Sequence, residues 1–131
     1  YITPDFQSNV VECICCTTKE ADWNKLIEIM QGDNRVYGAF GVHPWFVDSV
    51  QNDFVVHLRK ILERDFDYMI GEIGLDKYKP KMEKQIDVFV QQFNLAVQLK
   101  RTVFLHCVGA WDKILYILTI FAQSCIIILI M

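Results

Sequence analysis

The chain has 131 residues, enough for one domain with a real core, and 53% of them are hydrophobic. A formal net charge of −3 excludes a global basic field for nucleic acid, so an enzyme acting on phosphates would need metal ions to supply positive charge. The five cysteines (Cys13, Cys15, Cys16, Cys107 and Cys125) form no CxxC pair, read as small buried hydrophobes, and point to a reducing compartment, cytoplasmic or nuclear.

Residues 1–8 hold Pro4 and Asp5 and read as a loop. No signal-peptide pattern precedes the first strand, and the start at Tyr1 hints that a natural N-terminus lies upstream. Asn9–Cys16 is rich in β-branched and small apolar residues, as a strand requires. Thr17 and Glu20 have capping-box spacing. Trp23, Leu26, Ile27 and Met30 then recur at helical spacing, which predicts a helix over 20–31, ended by Gly32-Asp33-Asn34. Arg35–Pro44 is a second strand and its exit, with His43 just past the apolar run and Pro44 fixing its loop.

Phe54, Val55, Leu58, Ile61 and Leu62 predict a helix over 51–65, with His57 on its solvated face. A third strand spans 68–73. Glu72 ends it, between two glycines, and Asp76 lies just beyond. A carboxylate there must be paired, hydrogen-bonded or bound to a cation, because burying a bare charge is costly. Ile86, Phe89, Val90, Phe93 and Val97 form the apolar stripe of a helix over 82–100, with Gln85 and Gln92 as its larger uncharged polar residues. Arg101–Cys107 is a fourth strand, ended by His106. A helix over 110–123 follows, with Trp111, Ile114, Leu115, Leu118 and Phe121 facing inward. Cys125–Met131 is a fifth, isoleucine-rich strand.

Strand and helix alternate about every thirty residues, the cadence of a parallel α/β sheet. An isoleucine-rich edge left open invites association, so a partner or further chain is expected to cover it. The uncharged stretch Ile114–Met131 also reaches the length of a membrane tether. Its Thr119, Gln123 and Ser124 favour a helix, a break and a strand instead.

His43, Glu72 and His106 each follow an apolar strand and precede a loop, positions that converge on one face of a parallel barrel or sheet. A carboxylate with histidines suits zinc, manganese or similar divalent ions, which activate water for hydrolysis. His106-Cys107 does not suggest a base–nucleophile pair, because neighbours on a strand point to opposite faces.

Four stretches carry a family resemblance. They are Gly41-Val-His-Pro44, Gly71-Glu-Ile-Gly-Leu-Asp76, the helical Gln85…Phe89…Gln92…Leu95-Ala96, and Val103-Phe-Leu-His-Cys107 with Gly109-Ala-Trp-Asp112. In this order and spacing the chain resembles the TatD-like metal-dependent deoxyribonucleases, a branch of the amidohydrolase-like (β/α)8 barrels.

The resemblance implies an α/β, TIM-type barrel, of which residues 1–131 supply one incomplete domain of about five strands. It implies DNA as substrate and two divalent ions, magnesium, manganese or zinc. Glu72 would bridge the ions and His106 would be a metal ligand. His43 would line the site toward substrate or water, and Asp76 would support the glutamate loop, both as catalytic residues. The family's His-x-His pair would lie before Tyr1, and a further histidine and an aspartate after Met131. Val108 stands where an arginine is frequent. These 131 residues alone are therefore expected to show little nuclease activity. The alternatives are an amidohydrolase acting on a C–N or ester bond, and a non-catalytic half-barrel interaction module. No stable protein partner and no membrane attachment are expected.

Overall fold

A computed structural model describes residues 11–121 and 125–130. Its five strands are β1 (Cys13–Cys16), β2 (Val36–Phe40), β3 (Met69–Asp76), β4 (Val103–Val108) and β5 (Ile127–Ile130). They form one sheet in chain order, every neighbouring pair parallel. The crossovers are the helices α1 (Trp23–Gly32), α2 (Phe54–Leu62), α3 (Met82–Leu99) and α4 (Trp111–Phe121). A doubly wound sheet reverses its strand order at a switch point. This order never reverses, so the architecture is a half-barrel of the α/β class. A single core of strand and helix residues holds it, with Phe40, Leu58, Ile70, Ile73, Phe93 and Ile114 fully buried.

Several boundaries differ from the sequence expectation, each for a physical reason. The capping box does not form: Lys19 takes the N-cap position, without a side-chain bond, ahead of a 3-10 turn over Glu20–Asp22. Buried Thr17 turns its hydroxyl to Gly41 instead, accepting from the N–H at 2.9 Å and donating to the carbonyl at 3.2 Å. Buried backbone groups need partners, and that demand outranks the cap. Gly32 belongs to α1, and the chain turns at Asp33, whose φ is −146°. In α4, Ile114 and Ile117 are buried, whereas Trp111 and Leu115 are exposed. Ile114 and Ile117 share a face three residues apart; Leu115 lies about 100° around the helix from Ile114.

Cys13, Cys15, Cys16 and Cys125 are half-buried rather than buried, and only Cys107 is in the core; all five are free thiols. Ile126, Ile128 and Leu129 stand exposed on or beside β5. Among the described residues no helix is long and apolar enough to cross a membrane, and α4 has only 11 residues. The expected loop over 1–8, the opening Asn9-Val10 of the first strand, the Gln123-Ser124 break and Met131 lie outside the described residues.

Two fully buried glutamines on α3 hold the strand exits. Gln92 Oε1 accepts from Val42 N–H at 2.7 Å, and its Nε2 donates to Val42 O at 3.1 Å. Gln85 Oε1 accepts from Asp76 N–H at 2.9 Å, and its Nε2 donates to the carbonyls of Asp76, Lys79 and Pro80. Side-chain amides thus complete the backbone bonding just where the sheet ladder ends, beside His43 and at Asp76. At the opposite end of the sheet, Arg101 Nη1 donates to the carbonyls of Asp65 and Tyr68 ahead of β3.

Gln92→Leu strands the buried N–H and carbonyl of Val42. It is expected to cost about 2–4 kcal/mol in urea unfolding. Gln91→Leu, next to it on a less buried face, should cost under about 0.5 kcal/mol; equal losses would contradict the clamp.

Candidate metal centre

The placement of Glu72 depends on an irregularity in β3. Ile70 pairs with Val103, but Ile73 pairs with Leu105, so β3 holds one residue more than β4 across this step. In a regular strand Glu72 would share the face of Ile70, which is fully buried. The extra residue shifts the alternation, Gly74 pairs with His106, and Glu72 reaches the histidine's side of the sheet. Gly71 has φ +156°, and a Cβ there would lie 2.6 Å from Phe104 Cβ. Gly74 has φ +150°, and a Cβ there would lie 1.8 Å from His106 O. Neither position tolerates a side chain.

Three side chains meet over this irregularity. His43, Glu72 and His106 each offer an atom within 4.8 Å of the others. His106 Nδ1 is 3.1 Å from Glu72 Oε1 and 3.2 Å from His43 Nε2, and His43 Nε2 is 3.8 Å from Glu72 Oε1. Asp76 closes the group from the other side, its Oδ2 3.4 Å from His106 Nε2. It ends β3, which runs to residue 76 rather than 73. All four sequence-expected residues therefore share one site.

The hydrogen bonds give the two imidazoles different protonation patterns. His43 Nδ1 accepts from Trp45 N–H at 3.1 Å, which leaves the ring proton on Nε2. His43 thus presents a donor to the site. Burial, then the neighbouring His106, lower its pKa to about 4 against the pull of Asp76, so the ring is neutral near pH 7. Burial pushes the Asp76 carboxyl up. Hydrogen bonds from Trp45 Nε1–H, Tyr78 N–H and His106 outweigh it, and the net effect is below the usual carboxylate value. An ionised Asp76 accepts from His106 Nε2–H, and the Nδ1 lone pair of His106 then faces a carboxylate oxygen across 3.1 Å. His43 Nε2–H is the neighbouring donor to that lone pair at 3.2 Å, and Nδ1 and the carboxylate oxygen together form a place that a proton or a metal ion could share.

Sequence reasoning missed Trp45. Its indole Nε1–H donates to Asp76 Oδ2 at 2.7 Å from a kinked 3-10 helix over Pro44–Ser49, capped by His43. No local signal marks that bond, whose ends are 31 residues apart. It also missed Thr17, whose carbonyl accepts from Glu72 N–H at 3.1 Å. Cys16 is pushed up to about 12 by burial and then by Glu72 and Cys15, so it stays a thiol. Cys107 lies in the core, away from the site that His106 faces. His57 is solvated on α2 as expected, beside Asp53 and Glu20.

Three comparisons place these features among known proteins. The human "3'-5' RNA nuclease TATDN2" is 31% identical over 118 residues, 87% of this chain and 15% of that protein. The "3'-5' ssDNA/RNA exonuclease TatD" of Erwinia billingiae is 36% identical over 85 residues, 63% of this chain and 33% of that protein. The crystal structure of YjjV, a TatD homolog from Escherichia coli, superposes with a TM-score of 0.80 at 26% identity, covering 86% of this chain and 45% of that one. The chain thus spans a third or less of these two curated relatives. The TatD related DNase profile matches residues 2–129, and the chain belongs to that family.

Proposed function

We propose that this chain supplies metal-binding and substrate-orienting groups to a divalent-metal-dependent phosphodiesterase that shortens single-stranded DNA or RNA. The observation carrying the proposal is the facing pair of acceptors, Glu72 Oε1 and His106 Nδ1, 3.1 Å apart. Ligands about 2.1 Å from one ion stand about 3.0 Å apart in octahedral and about 3.4 Å apart in tetrahedral geometry, so the pair lies near both spacings. A carboxylate with an imidazole fits zinc or manganese, and the Glu72 side chain retains 17% of its exposure, so it is reachable. Such an ion, when bound, supplies Lewis-acid polarisation of a phosphoryl oxygen and lowers the pKa of water.

The remaining steps belong to the chain. Asp76 fixes the His106 tautomer and turns Nδ1 inward, the usual task of a carboxylate behind a ligating imidazole. His43 Nε2–H is assigned as a donor to a phosphate oxygen. Glu72 is assigned the place shared by two ions, in keeping with the family resemblance. DNA as the favoured polymer and a cytoplasmic or nuclear setting belong to the same proposal; five free thiols suit a reducing compartment.

Manganese titration of the chain, followed by electron paramagnetic resonance, tests the ligand assignment. Asp76→Asn is expected to weaken binding about 10- to 100-fold, and Glu72→Gln or His106→Gln by at least as much. Labelled single-stranded DNA and RNA, incubated with magnesium, manganese or zinc and with chelator controls, test the reaction. Cleavage by these 131 residues alone should be slow, since so few ligands hold a catalytic ion weakly. Hydrolysis of amide or ester substrates with oligonucleotides left intact would instead favour an amidohydrolase.

The lowered pKa of His43 makes a separate prediction. Between about pH 6.5 and pH 4 the unfolded chain binds a proton at His43 that the folded chain refuses. Stability is therefore full above pH 6.5 and falls as the pH drops through that window. In chelator, the loss from this group should be up to about 3 kcal/mol and absent in His43→Gln, as read by urea unfolding at each pH.

A further inference from the structure

Two exposed aromatic residues bond the carboxylate that holds His106, Trp45 through its ring and Tyr78 through its backbone N–H. Trp45 is 54% exposed, yet its indole Nε1–H is tied to Asp76 Oδ2 at 2.7 Å. Its ring meets the His43 ring edge-on, with centroids 5.3 Å apart. Tyr78 is 78% exposed, and its N–H donates to Asp76 Oδ1 at 2.9 Å. Its ring passes so near Gly109 that a Cβ there would lie 3.5 Å away. The Lys79 ammonium sits 4.2 Å from the centroid of Trp45.

A single exposed ring on a protein surface is ordinary. Here one ring is tied to the carboxylate by its own N–H, a second aromatic residue is tied to it through the backbone, and a cation lies on the first ring. The bond to Asp76 limits the tilt of the indole, so the ring is presented with little entropy left to lose. Aromatic faces with ammonium groups between them match unpaired bases joined by phosphates. Bases inside a duplex are stacked on each other and offer no free face.

We propose that Trp45, Tyr78 and Lys79 form a base-stacking platform that seats the terminal nucleotides of a single strand against the His43–Glu72–His106 centre. This rests on the phosphodiesterase reading for its substrate class but not for its test. Lys79 would exchange the indole for a backbone phosphate as a base arrives on the ring.

The test is anisotropy of a fluorescein-labelled thymidine 12-mer with the chain in chelator, beside a 12-mer whose last three sugars carry no base. The intact oligonucleotide should bind roughly tenfold more tightly. Tyr78→Ala and Trp45→Leu should each erode that ratio, lowering affinity for the intact oligonucleotide more than for the one with the abasic end. Trp45→Phe, which keeps a ring and loses the indole N–H, should retain more of the ratio than Trp45→Leu. Lys79→Ala should weaken both oligonucleotides alike and flatten the salt dependence. Equal binding of the two oligonucleotides, no saturable binding of either, or parallel losses in Tyr78→Ala would overturn the platform. Base discrimination in chelator with no manganese binding that depends on Glu72 and His106 would support the platform and count against the hydrolase. Cleavage without discrimination would do the reverse.

Discussion

Residue 74 has no room for a side chain, and the geometry of the centre follows from that. A Cβ there would lie 1.8 Å from the carbonyl oxygen of His106. At this contact β3 and β4 meet so closely that one imidazole spans two carboxylates of the neighbouring strand. Nδ1 of His106 meets Glu72, and Nε2 meets Asp76. The extra residue ahead of Gly74 turns Glu72 to that side, because strict alternation would have left it beside Ile70. The glycines that flank the glutamate are therefore steric conditions for the carboxylate–imidazole chain.

Holding such groups at the end of an apolar sheet requires partners for the backbone around them. The strand ladder stops near residue 40 in β2 and residue 76 in β3, and each exit has N–H and carbonyl groups left over. Gln92, Gln85 and Thr17 take these up with side-chain atoms. Each also lies on an element packed behind or beside the site. The same residues that satisfy buried polar groups thereby fix where His43, Glu72 and Asp76 begin. Among the described residues no buried side-chain nitrogen or oxygen is left without a partner. That complete pairing suits a rigid scaffold under a few reactive groups.

The order of strands and helices was legible because it rests on apolar periodicity, which local sequence carries. His43, Glu72 and His106 were legible for the opposite reason: each is a polar residue that interrupts or ends such a run. The clamps were not, because their partners are backbone atoms far along the chain, 50 residues away for Gln92 and Val42. A glutamine on a helix looks the same in sequence whether it meets water or a strand exit. The capping-box expectation at Thr17 failed on this distinction, since a remote backbone outcompeted a local one. On α4 the expected Ile114, Leu118 and Phe121 do meet the core, but Trp111 and Leu115 do not and Ile117 does, because the sequence is apolar nearly all round and leaves periodicity little contrast.

The three clustered atoms are not equivalent, and their difference bears on the chemistry. Proximity alone would count His43, Glu72 and His106 as three ligands. The amide of Trp45 occupies Nδ1 of His43, so its Nε2 keeps a proton and cannot offer a lone pair. Asp76 has the opposite effect on His106, holding the proton at Nε2 and leaving the Nδ1 lone pair to face His43 Nε2–H and Glu72. One imidazole is thus set to meet an anion and the other a cation. The chain as a whole carries net charge −3 and cannot draw a polyanion by its global field. Under the proposed function the attraction would be local, at a cation held by Glu72 and His106 and at the lysines beside Trp45 and Phe46. On that reading, a phosphate bound there would have the His43 N–H on one side and positive charge on the other.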